Sequence, residues 1–143
     1  MPAPAFTFLP HTTDAYIECV GATFEEALEN AGLALFDTMC DLTAISREIR
    51  ETVTVEGTDN FELLYNWLEA LLLKFELERK VYSALDVSLT RLPDGLRINA
   101  QAQGELFNRK KHGAKVEVKA VTYHRMEISQ EANRTIVRFI LDL

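Results

Sequence analysis

Leu85-Asp86-Val87-Ser88-Leu89-Thr90-Arg91-Leu92-Pro93-Asp94-Gly95-Leu96-Arg97-Ile98-Asn99-Ala100-Gln101-Ala102-Gln103 is the stretch on which the fold class turns. Leu85, Val87 and Leu89 alternate with Asp86, Ser88 and Thr90. After the turn, Leu96, Ile98, Ala100 and Ala102 alternate with Arg97, Asn99, Gln101 and Gln103. Successive side chains of a strand point to opposite faces, so a period of two gives each half one apolar and one polar face. Pro93-Asp94-Gly95 supplies the reversal, and the two strands form a hairpin.

The apolar face of such a hairpin needs a cover, and the residues upstream provide two. Thr23 followed three positions later by Glu26 is a capping box that opens a helix. Phe24, Leu28, Ala31, Leu35, Met39 and Leu42 then recur at three- and four-residue steps, which makes one apolar stripe. A second helix starts at Thr58 or Asp59, with a stripe of Phe61, Leu64, Leu68, Leu71, Leu72 and Phe75 widened by Leu63, Trp67 and Leu73. Ala15 to Val20 reads as a strand closed by Gly21, and Ser46 to Gly57 as an extended segment. No internal repeat is visible.

Downstream, a basic loop carries Arg109, Lys110, Lys111, His112, Lys115 and Lys119. Val116, Val118 and Ala120 then share a face. The phase slips at Val121 and Tyr123 and returns at Met126 and Ile128, which predicts a β-bulge near Ala120–Thr122. Ile136 to Leu141 is apolar except for Arg138 and reads as a central strand covered on both faces. Helices and strands do not alternate regularly. The fold class is therefore α+β: a single domain over residues 1–143, with two helices packed on a largely antiparallel sheet.

The chain has 143 residues, of which 48% are hydrophobic and 26% charged, an ordinary balance for a globular domain. No apolar run approaches the roughly 20 residues of a membrane-spanning helix, and the first ten residues do not form a signal peptide, so the expected location is cytoplasmic. Cys19 and Cys40 lie far apart in sequence and read as buried reduced thiols. A net charge of −7 disfavours a broad nucleic-acid-binding face, DNA included. Glycine-rich phosphate loops, nucleophile elbows and His-Glu-x-x-His are all missing from the sequence.

A few residues carry candidate chemistry. His11-Thr12-Thr13-Asp14 precedes the first strand and can present a carboxylate, with an imidazole beside it, to a metal. Asp142 follows the apolar last strand, so its carboxylate and the main-chain oxygens of Leu143 offer hard ligands at one point. Oxygen donors suit calcium, magnesium or manganese better than zinc. Lys119 stands before the predicted bulge, and His124 just after it is a candidate ligand or base.

These segments, taken in order, resemble the archease family. The resemblance rests on His11-Thr12-Thr13-Asp14, on Ala34-Leu35-Phe36-Asp37-Thr38-Met39, on Glu56-Gly57 with Leu63-Leu64-Tyr65-Asn66-Trp67-Leu68, on Val118-Lys119-Ala120-Val121-Thr122-Tyr123-His124, and on the closing Leu141-Asp142-Leu143. It implies an accessory protein without catalytic residues of its own. Such a protein activates the GTP-dependent RNA ligase of tRNA splicing by promoting its guanylylation and repeated turnover and by broadening its nucleotide use. Contact with tRNA would be indirect. The resemblance also implies a metal site at Asp14, Asp142 and Leu143, for calcium first and for manganese or magnesium as alternatives. Lys119, His11 and His124 would support activity. Thr13 stands where the family more often has alanine, and the loop near Asn108 is basic where the family often carries an acid. The residues alone leave two alternatives: a small metal-dependent hydrolase using Asp14, His124 and Asp142, or a tRNA-binding or chaperone module.

Overall fold

The computed structural model of the chain describes residues 5–9 and 13–143. The order is β1 (Phe6–Leu9), β2 (Ala15–Gly21), α1 (Phe24–Met39), a short 3-10 turn (Leu42–Ala44), β3 (Ile49–Gly57), α2 (Asn60–Glu78), β4 (Lys80–Leu92), β5 (Gly95–Leu106), α3 (Arg109–His112), β6 (Ala120–Glu131) and β7 (Arg134–Asp142). The class is α+β, as expected. The antiparallel strands divide between two sheets, one ordered β1-β2-β7-β6 and the other β3-β5-β4. α1 packs against β2 and β7 on one side and β4 on the other, while α2 packs against all three strands of the second sheet and against β6. The helices thus bridge the sheets. The core lies around them, with Trp67 fully buried and its Nε1–H donating to the Leu28 carbonyl of α1 at 2.8 Å.

The hairpin forms as read. Leu92 pairs with Gly95 across a two-residue turn, and Leu85, Val87, Ile98, Ala100 and Ala102 are buried. β7 runs centrally between β2 and β6, and Phe139, Ile140 and Leu141 are all buried. Cys19 and Cys40 are free and buried; burial pushes both thiols up, Cys40 to about 11, so neither is a thiolate at neutral pH.

Four readings change. Phe61 and Leu73 are 43% and 41% exposed, because the buried side of α2 is covered by Leu63, Leu64, Trp67, Leu68, Leu71 and Leu72. β6 begins only at Ala120. Of Val116, Val118 and Ala120, Val118 alone is buried. The bulge falls later than predicted: Thr122 pairs with Ile140 and Glu127 with Arg138, so residues 123–126 all face Phe139. Arg125 takes a positive φ of 57° there. β1 was not anticipated; it is an edge strand paired with β2, with half-buried Phe6 against the core and Phe8 exposed.

A short repeat is also present where none was visible. Thr23 and Asp59 cap α1 and α2, accepting the Glu26 and Glu62 N–H groups at 3.1 and 2.8 Å. The two glutamates reach back, not to the caps but one residue earlier, to the N–H groups of Ala22 and Thr58. Asn30 and Asn66 each donate to a strand-end carbonyl, Val20 and Glu56, at 2.8 Å. Gly21 and Gly57 complete the match. A Cβ on either would lie 2.5 Å from the backbone nitrogen of Ala27 or Leu63, so strand and helix meet too closely for any side chain.

Candidate functional site

Strand register sets the start of β2 beside the end of β7. Ala15 pairs with Leu141, and Asp14, in the bend just before β2, adjoins the strand end that carries Asp142. On the other side of β7, Asp142 pairs with Ala120, the first residue of β6. The Lys119 N–H extends that edge by donating to the Asp142 carbonyl at 2.7 Å. The side chains at these neighbouring strand ends include the Asp14 and Asp142 carboxylates, half-buried and exposed respectively. The main chain of Leu143 follows directly, its half-buried side chain packed against the core.

This donor set fits a hard divalent cation in chemistry, since every candidate ligand is oxygen. It remains small: no group of three or more His, Cys, Asp or Glu side chains able to hold a metal occurs among the described residues. His11 lies outside the described residues. His124 is not with the others. It is exposed within the bulge, its N–H donating to Thr122 Oγ1 at 3.0 Å. Three rungs of the ladder separate it from Asp142, about 10 Å at strand spacing. Of the six candidate residues, Asp14, Asp142, Leu143 and the backbone of Lys119 lie at adjoining strand ends, and His124 does not.

The flank of the site is tied down by charge. Arg138 of β7 reaches Glu18 of β2 at 2.8 Å and Glu127 of β6 at 3.7 Å, crossing the three strands that carry the site. Buried Tyr16 donates to Glu127 at 3.3 Å, and Arg125 lies over the Tyr16 ring at 5.1 Å. Tyr123, in the bulge, stacks on Tyr65 of α2 with centroids 4.3 Å apart and planes 8° apart. The charge contacts tie β2, β7 and β6 together, and the tyrosine stack holds the bulge of β6 against α2.

Part of the basic loop is paired with nearby acids, at Lys111, His112 and Lys115. Asn108 caps α3 by accepting the Lys110 and Lys111 N–H groups. His112 is 1% exposed, with Nδ1 accepting the Asn108 N–H at 2.9 Å and Nε2 2.7 Å from Glu105. A ring nitrogen that accepts carries no proton, so the neutral tautomer with Nε2–H donating to Glu105 fits both contacts. Lys111 and the Ser46 N–H also bond Glu105. Partial burial would raise the Glu105 carboxyl, but the hydrogen bonds from Lys111, His112 and Ser46 outweigh it and hold it down at about 2. Lys115 turns inward to Asp37 at 3.3 Å. Composition could not foresee this network: Glu105 lies just before the loop but at the end of β5, and Asp37 comes from distant α1.

Comparison with known proteins agrees with this architecture. The model of the Archease protein family (MTH1598/TM1083) matches residues 6–143. The chain is 36% identical over 138 residues to the protein archease of Sulfolobus acidocaldarius, covering 96% of this chain and 98% of that one. It is 41% identical over 135 residues to that of Thermococcus gammatolerans, covering 93% and 94%. The solution structure of Methanobacterium thermoautotrophicum protein 1598 superposes with a TM-score of 0.87 at 36% identity, covering 99% of this chain and 100% of that one. A crystal structure from Thermotoga maritima, described as an archease and possible chaperone, shares the fold with a TM-score of 0.59 at 17% identity, over 100% and 98% of the two chains. With nearly its whole length matched, the chain belongs to the archease family.

Proposed function

We propose that this protein is an activator and not an enzyme, and that it promotes guanylylation and repeated turnover of the GTP-dependent RNA ligase of tRNA splicing. The observation that carries this reading is the placement of Asp14, Asp142 and Lys119 at the ends of three adjacent strands. Membership of the archease family is consistent with this choice of partner. Asp14, Asp142 and the main-chain oxygens of Leu143 would hold a divalent cation, calcium first and manganese or magnesium as alternatives. Such an ion would add a fixed positive charge to these strand ends. Asp142 and Lys119 are exposed, so they can meet a partner without unfolding. An activator shifts its partner only by binding one of its states more tightly than another. A rigid arrangement of opposite charges does this with little ordering cost.

A hydrolase built on Asp14, His124 and Asp142 is disfavoured by the separation of His124 from the two carboxylates. The activator reading is tested by covalent GMP transfer to the ligase, with GTP and manganese and a substoichiometric amount of this protein. Stimulation is expected to fall at least tenfold with Asp14→Ala or Asp142→Ala at unchanged melting temperature. Calcium titration by calorimetry is the independent readout, and both variants should lose the binding heat. A folded wild-type sample that leaves GMP transfer unaltered would contradict the reading.

A further inference from the structure

Beside the strand-end site runs a groove that the activator reading does not use. It consists of two adjoining hollows of about 340 and 410 Å³, which share Phe75, Arg79 and Glu117. One hollow continues to Arg109 and Phe107 and the other to Lys119. The groove therefore opens onto the residue whose N–H is bonded to Asp142. Each hollow falls within the size range of small-molecule sites.

Arg79 is its unusual member. It ends α2 in the left-handed conformation, with φ 53° and ψ 37°, and its N–H donates to the Lys74 and Phe75 carbonyls. Glycine is the usual occupant of such a cap, because a side chain there crowds the backbone. The Arg79 guanidinium lies 4.3 Å from the centroid of Phe75 and 5.5 Å from that of Phe107, two rings that meet edge to face. The Phe107 N–H is bonded to the Arg79 carbonyl at 2.7 Å, which holds the two residues in register. Among the described residues no carboxylate forms an ion pair with Arg79, Arg109 or Lys119, whereas Lys111 and Lys115 are both neutralised nearby. Glu76 and Glu117 also line the groove, but neither forms an ion pair with these three cations. A guanidinium stacked on a ring keeps its donor edge free and prearranged, and that edge matches a phosphate.

We infer that this groove binds the phosphates of a ribonucleotide ligand, held by Arg79 and Arg109 with Lys119 at the end nearest Asp142. Arg79 already lies over the Phe75 ring, and Phe107 has Arg79 and His112 as neighbours at 5.5 and 5.7 Å, so the groove's recognition is assigned to phosphate and not to base stacking. Phosphate recognition serves either an RNA strand or the polyphosphate of a free nucleotide. The inference deepens the activator reading and rests on it only for supposing such ligands at hand.

The test is fluorescence anisotropy with a labelled eight-nucleotide RNA and the whole protein, in competition with ATP. Binding is expected at 50 mM salt and should weaken at 200 mM. Arg79→Gly keeps a residue suited to the cap, so it should preserve the melting temperature while weakening binding at least tenfold. Arg109→Glu, outside that cap, should do the same and serves if Arg79→Gly perturbs the fold. Competition by ATP at matched concentration assigns the groove to a nucleotide polyphosphate; competition by unlabelled RNA alone assigns it to a strand. Absence of binding by either ligand at 50 mM salt, or wild-type affinity in both variants, would overturn the inference. Because the measurement contains no ligase, its failure leaves GMP-transfer stimulation standing, and the reverse holds equally.

Discussion

The β2–α1 and β3–α2 units are built on one local plan, 36 residues apart, yet only the first reaches the candidate site. Each has a strand ending in glycine, a capping Thr or Asp, a glutamate reaching back past the cap, and an asparagine tied to the strand-end carbonyl. Their surroundings differ. β2 lies inside its sheet, against β7, so the residue before it adjoins the end of β7. Among the described residues β3 is an edge strand paired with β5, and the residue before it does not face β7. The helix exits differ too: α1 runs into the 3-10 turn, tied down by the Asp41 N–H to the His112 carbonyl and the Ser46 N–H to Glu105, while α2 stops at an exposed left-handed arginine. The repeated plan builds scaffold; position in the sheet decides where the chemistry sits.

Equivalence of the two units is most severely tested at the glycines. Gly21→Ala and Gly57→Ala each place a Cβ against backbone that cannot swing aside, and should cost about 1–3 kcal/mol in denaturant unfolding. A large loss in one and none in the other would show the units to be alike only in outline.

The exit of α1 comes next. Glu105→Gln should destabilise by about 1–3 kcal/mol, since it weakens a carboxylate that accepts from a buried histidine, a lysine and a main-chain N–H. The native carboxyl is held below its ordinary value, so this contribution is complete above about pH 4.5 and disappears as pH falls toward 2. Acid unfolding followed by circular dichroism should shift to lower pH than in Glu105→Gln; coincident acid curves would remove the network from the account.

The caps predict a smaller, matched pair. Thr23→Ala and Asp59→Ala should each lose about 1 kcal/mol, as either leaves a helix-end N–H without its acceptor. Least of all is expected at the exit of α2. Arg79→Gly relieves a left-handed side chain worth about 1–2 kcal/mol but adds unfolded-chain freedom worth about 0.4–1 kcal/mol. The net change should be small, and a loss above about 2 kcal/mol would make Arg79 part of the scaffold.

Periodicity alone carried the hairpin, both helices and the central β7, because each buries a regular face. Asp14 and Asp142 were legible as candidates from their places beside strands, and the resemblance joined them. Their placement at adjoining strand ends depends on β2 and β7 being neighbours, which no local pattern encodes. The bulge was visible as a phase slip but misplaced, since three extra residues can enter anywhere before the phase recovers. The partners of the basic loop were not legible, because composition counts lysines and not the acids they meet. Arg79 gave no signal in the sequence: nothing in Glu78-Arg79-Lys80 announces a left-handed cap.

The central claim is that the strand ends assemble one working site. A double-mutant cycle on GMP-transfer stimulation, with Asp14→Ala, Asp142→Ala and the pair, tests it directly. If both carboxylates serve one site, either single change removes nearly all stimulation and the double change removes no more. If the two losses multiply instead, the residues act separately and the strand-end site as described here does not exist.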